Sequence, residues 1–94
     1  MRITGVIWLE PVVDKLQRKH RVTTDEVEEA LVSGSRFRRL EVGNVQGEDL
    51  YAALGRTAAG RYLIVFFVYK SSAEALIVSA REMTGNEKRL YGRS

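Results

Sequence analysis

Ninety-four residues with one histidine and no cysteine leave no room for a second hydrophobic core and exclude disulfides and thiolate metal sites. Hydrophobic content of 45% beside 29% charged residues belongs to a folded chain rather than a disordered one. The net charge of +3 is unevenly spread, with basic groups at Lys15, Arg18, Lys19, His20 and Arg21, at Arg36, Arg38 and Arg39, and at Lys88, Arg89 and Arg93, against acids at Asp25, Glu26, Glu28 and Glu29. A two-sided chain of this kind offers a basic face suited to nucleic acid.

In chain order, residues 3–9 are apolar and β-branched and predict a strand. Pro11 opens a predicted helix over residues 11–20, with Val12, Val13 and Leu16 on one face. Thr23 and Glu26 form a capping-box pattern for a second helix whose inward stripe is Val27, Ala30 and Leu31, stopped by Ser33-Gly34-Ser35. The two helices have helix-turn-helix spacing, but the acids on the second keep it out of a DNA groove. Residues 36–41 alternate as an edge strand, and residues 42–49 read as a loop. Strands follow at residues 50–55, 61–69 and 75–81; the middle one is apolar on both faces and is expected at the sheet centre. Thr84 and Glu87 repeat the capping box and start a last helix to about Tyr91. The order predicts one α+β domain over residues 1–94, a small antiparallel sheet of four to five strands with two N-terminal helices and one C-terminal helix on one face. Residues 1–6 lack the apolar core of a signal peptide, and the longest apolar run, residues 63–69, is too short to span a membrane. A soluble cytoplasmic protein without membrane contact is the expectation.

Two hairpins are expected to gather three arginines at one sheet end. Arg56 and Arg61 flank the turn Thr57-Ala58-Ala59-Gly60 and are expected nearly opposite each other, while Arg81 is expected opposite a residue near Leu63. Like charges brought together repel, so such a cluster is suited to an anion such as phosphate. The alternative reading is three solvated hairpin ends.

Other chemistries fall away. One histidine without cysteine leaves no metal site, no glycine loop matches a nucleotide fingerprint, and Ser79 lacks a nucleophile elbow, so no metal or cofactor is expected. Arginine, lysine, histidine, glutamate and tyrosine remain, a set able to cleave RNA. Arginines neutralise the crowded phosphorane, and His20, Glu87 or Tyr91 move protons. A two-histidine mechanism is excluded. Each candidate has a structural alternative: a helix-end histidine, a capping glutamate and a core-anchoring tyrosine. Glu82 is read as a neighbour that neutralises Arg81.

Lys19-His20 with Glu29-Ala30-Leu31, Leu54-Gly55-Arg56-Thr57 with Gly60-Arg61, and Val78-Ser79-Ala80-Arg81-Glu82-Met83-Thr84 with Glu87 and Tyr91 resemble the BrnT toxins, and Trp8 fits their first strand. The resemblance implies a RelE-like fold, an RNA-cleaving toxin of a type II toxin–antitoxin pair that inhibits translation, and a DNA-binding BrnA-like antitoxin. It carries onto His20, Arg61, Arg81, Glu87 and Tyr91 as catalytic candidates. Lys19, Arg36, Arg38, Arg39, Arg56 and Lys88 are the candidates to hold the RNA, free or on the ribosome. The chain departs from the family pattern at Leu9-Glu10-Pro11, at Arg21 and at Glu48-Asp49-Leu50. These departures favour the alternative, a non-catalytic module that binds protein or nucleic acid.

Overall fold

The computed structural model describes residues 1–34, 36–44 and 47–93. Strands β1 (Gly5–Ile7), β2 (Arg36–Glu41), β3 (Asp49–Arg56), β4 (Tyr62–Tyr69) and β5 (Glu74–Glu82) form a sheet of order β1-β5-β4-β3-β2. The apolar strand β4 is central, as a strand buried on both faces must be. β2 through β5 pair antiparallel in succession, but β1 pairs parallel with β5. The sheet is therefore mixed rather than wholly antiparallel. The helices between β1 and β2 carry the chain across the sheet, so β1 lies at the edge beyond β5.

Helix α1 (Glu10–Lys15) begins one residue earlier than Pro11 predicts and continues as a π-helical turn (Leu16–His20). The turn closes on Arg21, a non-glycine residue at φ 53° and ψ 43°. That left-handed conformation costs an L-residue about 1–2 kcal/mol, so something must hold it. Helix α2 (Thr24–Val32) has the capping box read from the sequence: Glu26 N donates to Thr23 Oγ1 at 3.1 Å and Thr23 N to Glu26 Oε1 at 3.0 Å. Ser35 of the helix-stop motif and Val45 and Gln46 of the following loop lie outside the described residues. Helix α3 (Gly85–Gly92) repeats the box through Thr84 and Glu87.

The core has two sides. Leu63, Val65 and Phe67 of β4 pack with Leu16, Val22, Val27 and Ala30 beneath α1 and α2, on the inner face. Ile64 packs with Ala52, Leu54 and Met83 on the outer face, flanked by Tyr62, Phe66 and Tyr91. Helix α3 thus lies on the face opposite α1 and α2, which corrects the expectation of one helical layer. Its anchor Tyr91 meets Tyr62 edge-to-face at 6.0 Å, and even-numbered β4 residues point outward. Gly55 lets α2 lie directly on β3, because a Cβ there would stand 1.9 Å from the Ala30 carbonyl oxygen.

Candidate nucleic-acid interface

The Arg56–Arg61 hairpin decides which side chains share a face. Thr57 N donates to the Arg61 carbonyl at 2.8 Å, and Arg61 N donates to Thr57 Oγ1 at 2.9 Å. Thr57 and Arg61 therefore close the turn, and Arg56 pairs with Tyr62. A shift of one residue moves a side chain to the other face. Arg56 accordingly faces outward and Arg61 inward. Arg81 pairs with Ile64, next to the expected Leu63, and faces outward with Arg56. The three arginines share one end of the sheet, but they do not form one cluster.

On the outer face Arg81 forms a bidentate pair with Glu87, Nη1 to Oε1 at 2.9 Å and Nη2 to Oε2 at 3.0 Å. Its guanidinium stands 5.6 Å from the Phe66 ring centroid, and Nη1 also donates to the Glu82 carbonyl at 3.0 Å. Glu87 caps α3 with the same carboxylate, accepting from Thr84 N at 2.8 Å. The Arg81 guanidinium holds the Glu87 carboxyl below its ordinary value; burial opposes this, and the Thr84 amide assists. Beside this pair, the Tyr62 ring carries Arg56 at 5.0 Å and Lys88 at 5.6 Å. Arg56 is positioned by the end of α2: its N–H donates to Ser33 Oγ at 2.8 Å, and that hydroxyl donates to the Arg56 carbonyl at 2.6 Å.

Strand β2 extends the basic surface. Arg36 and Arg38 pair with Leu54 and Ala52 and so face outward, into a groove of about 510 Å³ floored by Ala52, Leu54, Ile64 and Phe66. The Arg36 Nε atom is buried with no hydrogen-bond partner. Arg39 alternates to the inner side and lies 3.6 Å from Asp49, so it does not belong with Arg36 and Arg38. Among the described residues, Arg36, Arg38, Arg56 and Lys88 form no ion pair.

The inner face presents a different assembly. Arg61 Nη1 donates to the Arg21 carbonyl at 2.7 Å and to both Glu26 oxygens at 3.2 Å, and Nη2 donates to the His20 carbonyl at 3.0 Å. Its Nε donates to Glu82 Oε2 at 3.2 Å. Glu82 thus neutralises Arg61 through its side chain, not Arg81. Burial works against charge on both Glu26 and Arg61. The Thr23 amide and Arg61 nevertheless lower the pKa of Glu26, and Glu82 and Glu26 raise that of Arg61. Lys19 is exposed and His20 half-buried on the π turn. Among the described residues the His20 imidazole forms no hydrogen bond or ion pair.

Of the sequence candidates, the structure brings Arg36, Arg38, Arg56, Arg81, Glu87, Lys88 and Tyr91 onto one face. It places Arg39, Arg61 and the backbone of His20 on the other. Tyr62 and Phe66 are not among the candidates read from the sequence, and Ser33 figures there only as a helix stop. In a strand apolar throughout, the side bearing aromatic platforms shows only once the register is known. Among the described residues no group of histidine and carboxylate side chains could hold a metal ion, and no helix is long and apolar enough to cross a membrane.

Among the described residues, the outer face therefore combines cations without ion-pair partners, aromatic rings and an arginine–carboxylate pair, a combination chemically suited to a phosphate backbone with its bases. Comparisons with known proteins give the fold and the family. The fold is similar to the 1.1 Å crystal structure of the Brucella abortus ribonuclease toxin BrnT, at TM-score 0.64 and 21% identity, covering 85% of this chain and 96% of that one. No curated protein matches. The profile described as "Ribonuclease toxin, BrnT, of type II toxin-antitoxin system" matches residues 8–87, and the chain belongs to that family.

Proposed function

We propose that the chain is a metal-independent endoribonuclease toxin that works in the cytoplasm, inhibits translation by cutting RNA, and does so across the outer face of its sheet. The observation that carries this reading is the bidentate Arg81–Glu87 pair, set among Arg56, Lys88, Tyr62 and Tyr91. An incoming phosphate competes with Glu87 for the Arg81 fork. Once displaced, Glu87 loses the partner that holds its pKa down and becomes the stronger base. It takes the proton of the 2′-hydroxyl as that oxygen attacks the adjacent phosphorus. Arg81 neutralises the phosphorane, and the bond to the 5′-oxygen breaks as Tyr91 returns a proton to it. The products are a 2′,3′-cyclic phosphate and a 5′-hydroxyl.

Arg36, Arg38, Arg56 and Lys88 hold the backbone, and Tyr62 stacks a base. Lys19 and His20 extend the track around the sheet end, and Arg39 lies off it. The partner of such a toxin is an antitoxin, here a BrnA-like DNA-binding protein that covers the outer face. The competing reading, a module that binds without cutting, draws on the closed Arg81–Glu87 pair, which occupies the phosphate fork in the free protein.

Inducible expression in a bacterial host tests the two readings. The toxin reading predicts growth arrest and RNA loss with the wild type and neither with Arg81→Ala. Normal growth and intact RNA with soluble wild-type protein would leave the binding module.

A further inference from the structure

Arg61 carries the family resemblance to a catalytic arginine, yet its geometry is that of a clamp. A helix ends with carbonyls that have no partner within the helix. At the end of the π turn the Leu16 carbonyl accepts from Arg21 N and Val22 N, and the carbonyls of His20 and Arg21 lie at the exit of the turn. Arg61 supplies both, through two nitrogens of one planar fork, at 3.0 and 2.7 Å. The same guanidinium binds Glu26 in the first turn of α2 and Glu82 at the end of β5. Its own backbone N–H is held by Thr57. The side chain is only 24% exposed and bonds through all three of its nitrogens. A left-handed Arg21, which costs energy, is retained at the point where this fork closes.

The clamp also reaches toward the outer face. Glu82 receives Arg61 on its carboxylate and Arg81 on its carbonyl. The Lys19-His20-Arg21 turn is thus tied through Arg61 and Glu82 to the strand end that carries Arg81.

We propose that Arg61 is a positioning residue: it fixes the Lys19-His20-Arg21 turn on the inner side of the sheet end that carries Arg81 and does not itself bind the scissile phosphate. The inference rests on the ribonuclease reading for its effect on cleavage, while its structural half stands without it. Lysine cannot replace Arg61, because one ammonium cannot span two carbonyls and two carboxylates in a plane.

The test joins amide NMR with steady-state cleavage of a single-stranded RNA oligonucleotide by wild type, Arg61→Gln and Arg61→Lys, each also combined with Lys19→Ala/His20→Ala. Both Arg61 variants are expected to shift and broaden the amides of residues 19–21 while those of Arg56 and Lys88 stay in place. KM rises about 10-fold with kcat nearly kept, as for lost uniform binding. In the Lys19→Ala/His20→Ala background the Arg61 effect shrinks below about 2-fold, the mark of residues acting through one another. Unmoved amides at residues 19–21, or a kcat loss of about 100-fold that persists in that background, would overturn the proposal and put Arg61 on the phosphate. Glu82→Gln gives the same reading if the Arg61 variants fail to fold. A clamp predicts looser residues 19–21 and higher KM, whereas a phosphate ligand released from Glu82 predicts equal or lower KM. If the wild type cuts no RNA, the amide shifts still decide the clamp, and the ribonuclease reading alone fails.

Discussion

Arg61 and Arg81 sit at the same end of neighbouring strands, and each is paired with glutamate, but on opposite faces of the sheet and in opposite surroundings. Arg61 bonds four residues on three separate segments, so its charge is spent inside the fold. Arg81 bonds one carboxylate and one carbonyl, stands over Phe66 and is 36% exposed, so its fork is open to exchange. The contrast shows that two arginines of one family motif can differ in how far the fold has already taken up their donors, and the roles proposed for them follow that difference.

The contrast is sharpest in the alanine variants. Arg81→Ala should lower RNA cleavage about 100- to 1,000-fold, the scale of a lost transition-state donor. Its stability should change by no more than about 1 kcal/mol, as for a partly exposed pair. Thermal unfolding beside cleavage kinetics checks both halves, and a large loss of stability would make Arg81 another clamp. Arg61→Ala should instead destabilise the fold by about 1–3 kcal/mol, because it leaves the part-buried Glu26 carboxylate and His20 carbonyl without the Arg61 donor. In a domain of this size that lowers the melting temperature by about 4–8 °C per kcal/mol.

Acid should weaken both regions in the same direction. Glu26 and Glu87 have folded-state pKa values below the ordinary 4.5. Each therefore contributes stability that is present above pH 4.5 and is lost as pH falls through its depressed folded value. Denaturant midpoints measured from neutral pH downward should stay level to near that point and then fall. Glu87→Gln should flatten the fall in part, with the Glu26 share remaining. The smallest effect belongs to the flanking cations: Arg56→Ala or Lys88→Ala should each reduce the salt slope of single-strand RNA binding by about 0.7 while leaving kcat in place.

Much of this was readable from the chain. Both capping boxes, the central position of the apolar strand and its hairpin partners follow from local rules that the structure obeys at Thr23–Glu26, at Thr84–Glu87 and along β4. What escaped were matters of parity and of long-range pairing. The Thr57-Ala58-Ala59-Gly60 turn closes on Thr57 and Arg61, and that single register step separates Arg61 from Arg56. The parallel β1–β5 pairing and the placement of α3 on the outer face depend on contacts between segments far apart in the chain, which no local pattern encodes. Ser33 was read as a helix stop, and it is one, but its hydroxyl also fixes the backbone of Arg56.

The most direct test is to map RNA on the protein by amide and arginine side-chain NMR, using a 2′-O-methyl oligonucleotide that cannot be cut. The account predicts shifts at Arg36, Arg38, Arg56, Arg81, Glu87 and Lys88, with smaller ones at Lys19 and His20, and the Arg61, Glu26 and Glu82 side-chain signals unmoved. Shifts centred on Arg61 and Glu26, with Arg81 and Glu87 unchanged, would contradict it and place the RNA on the inner face.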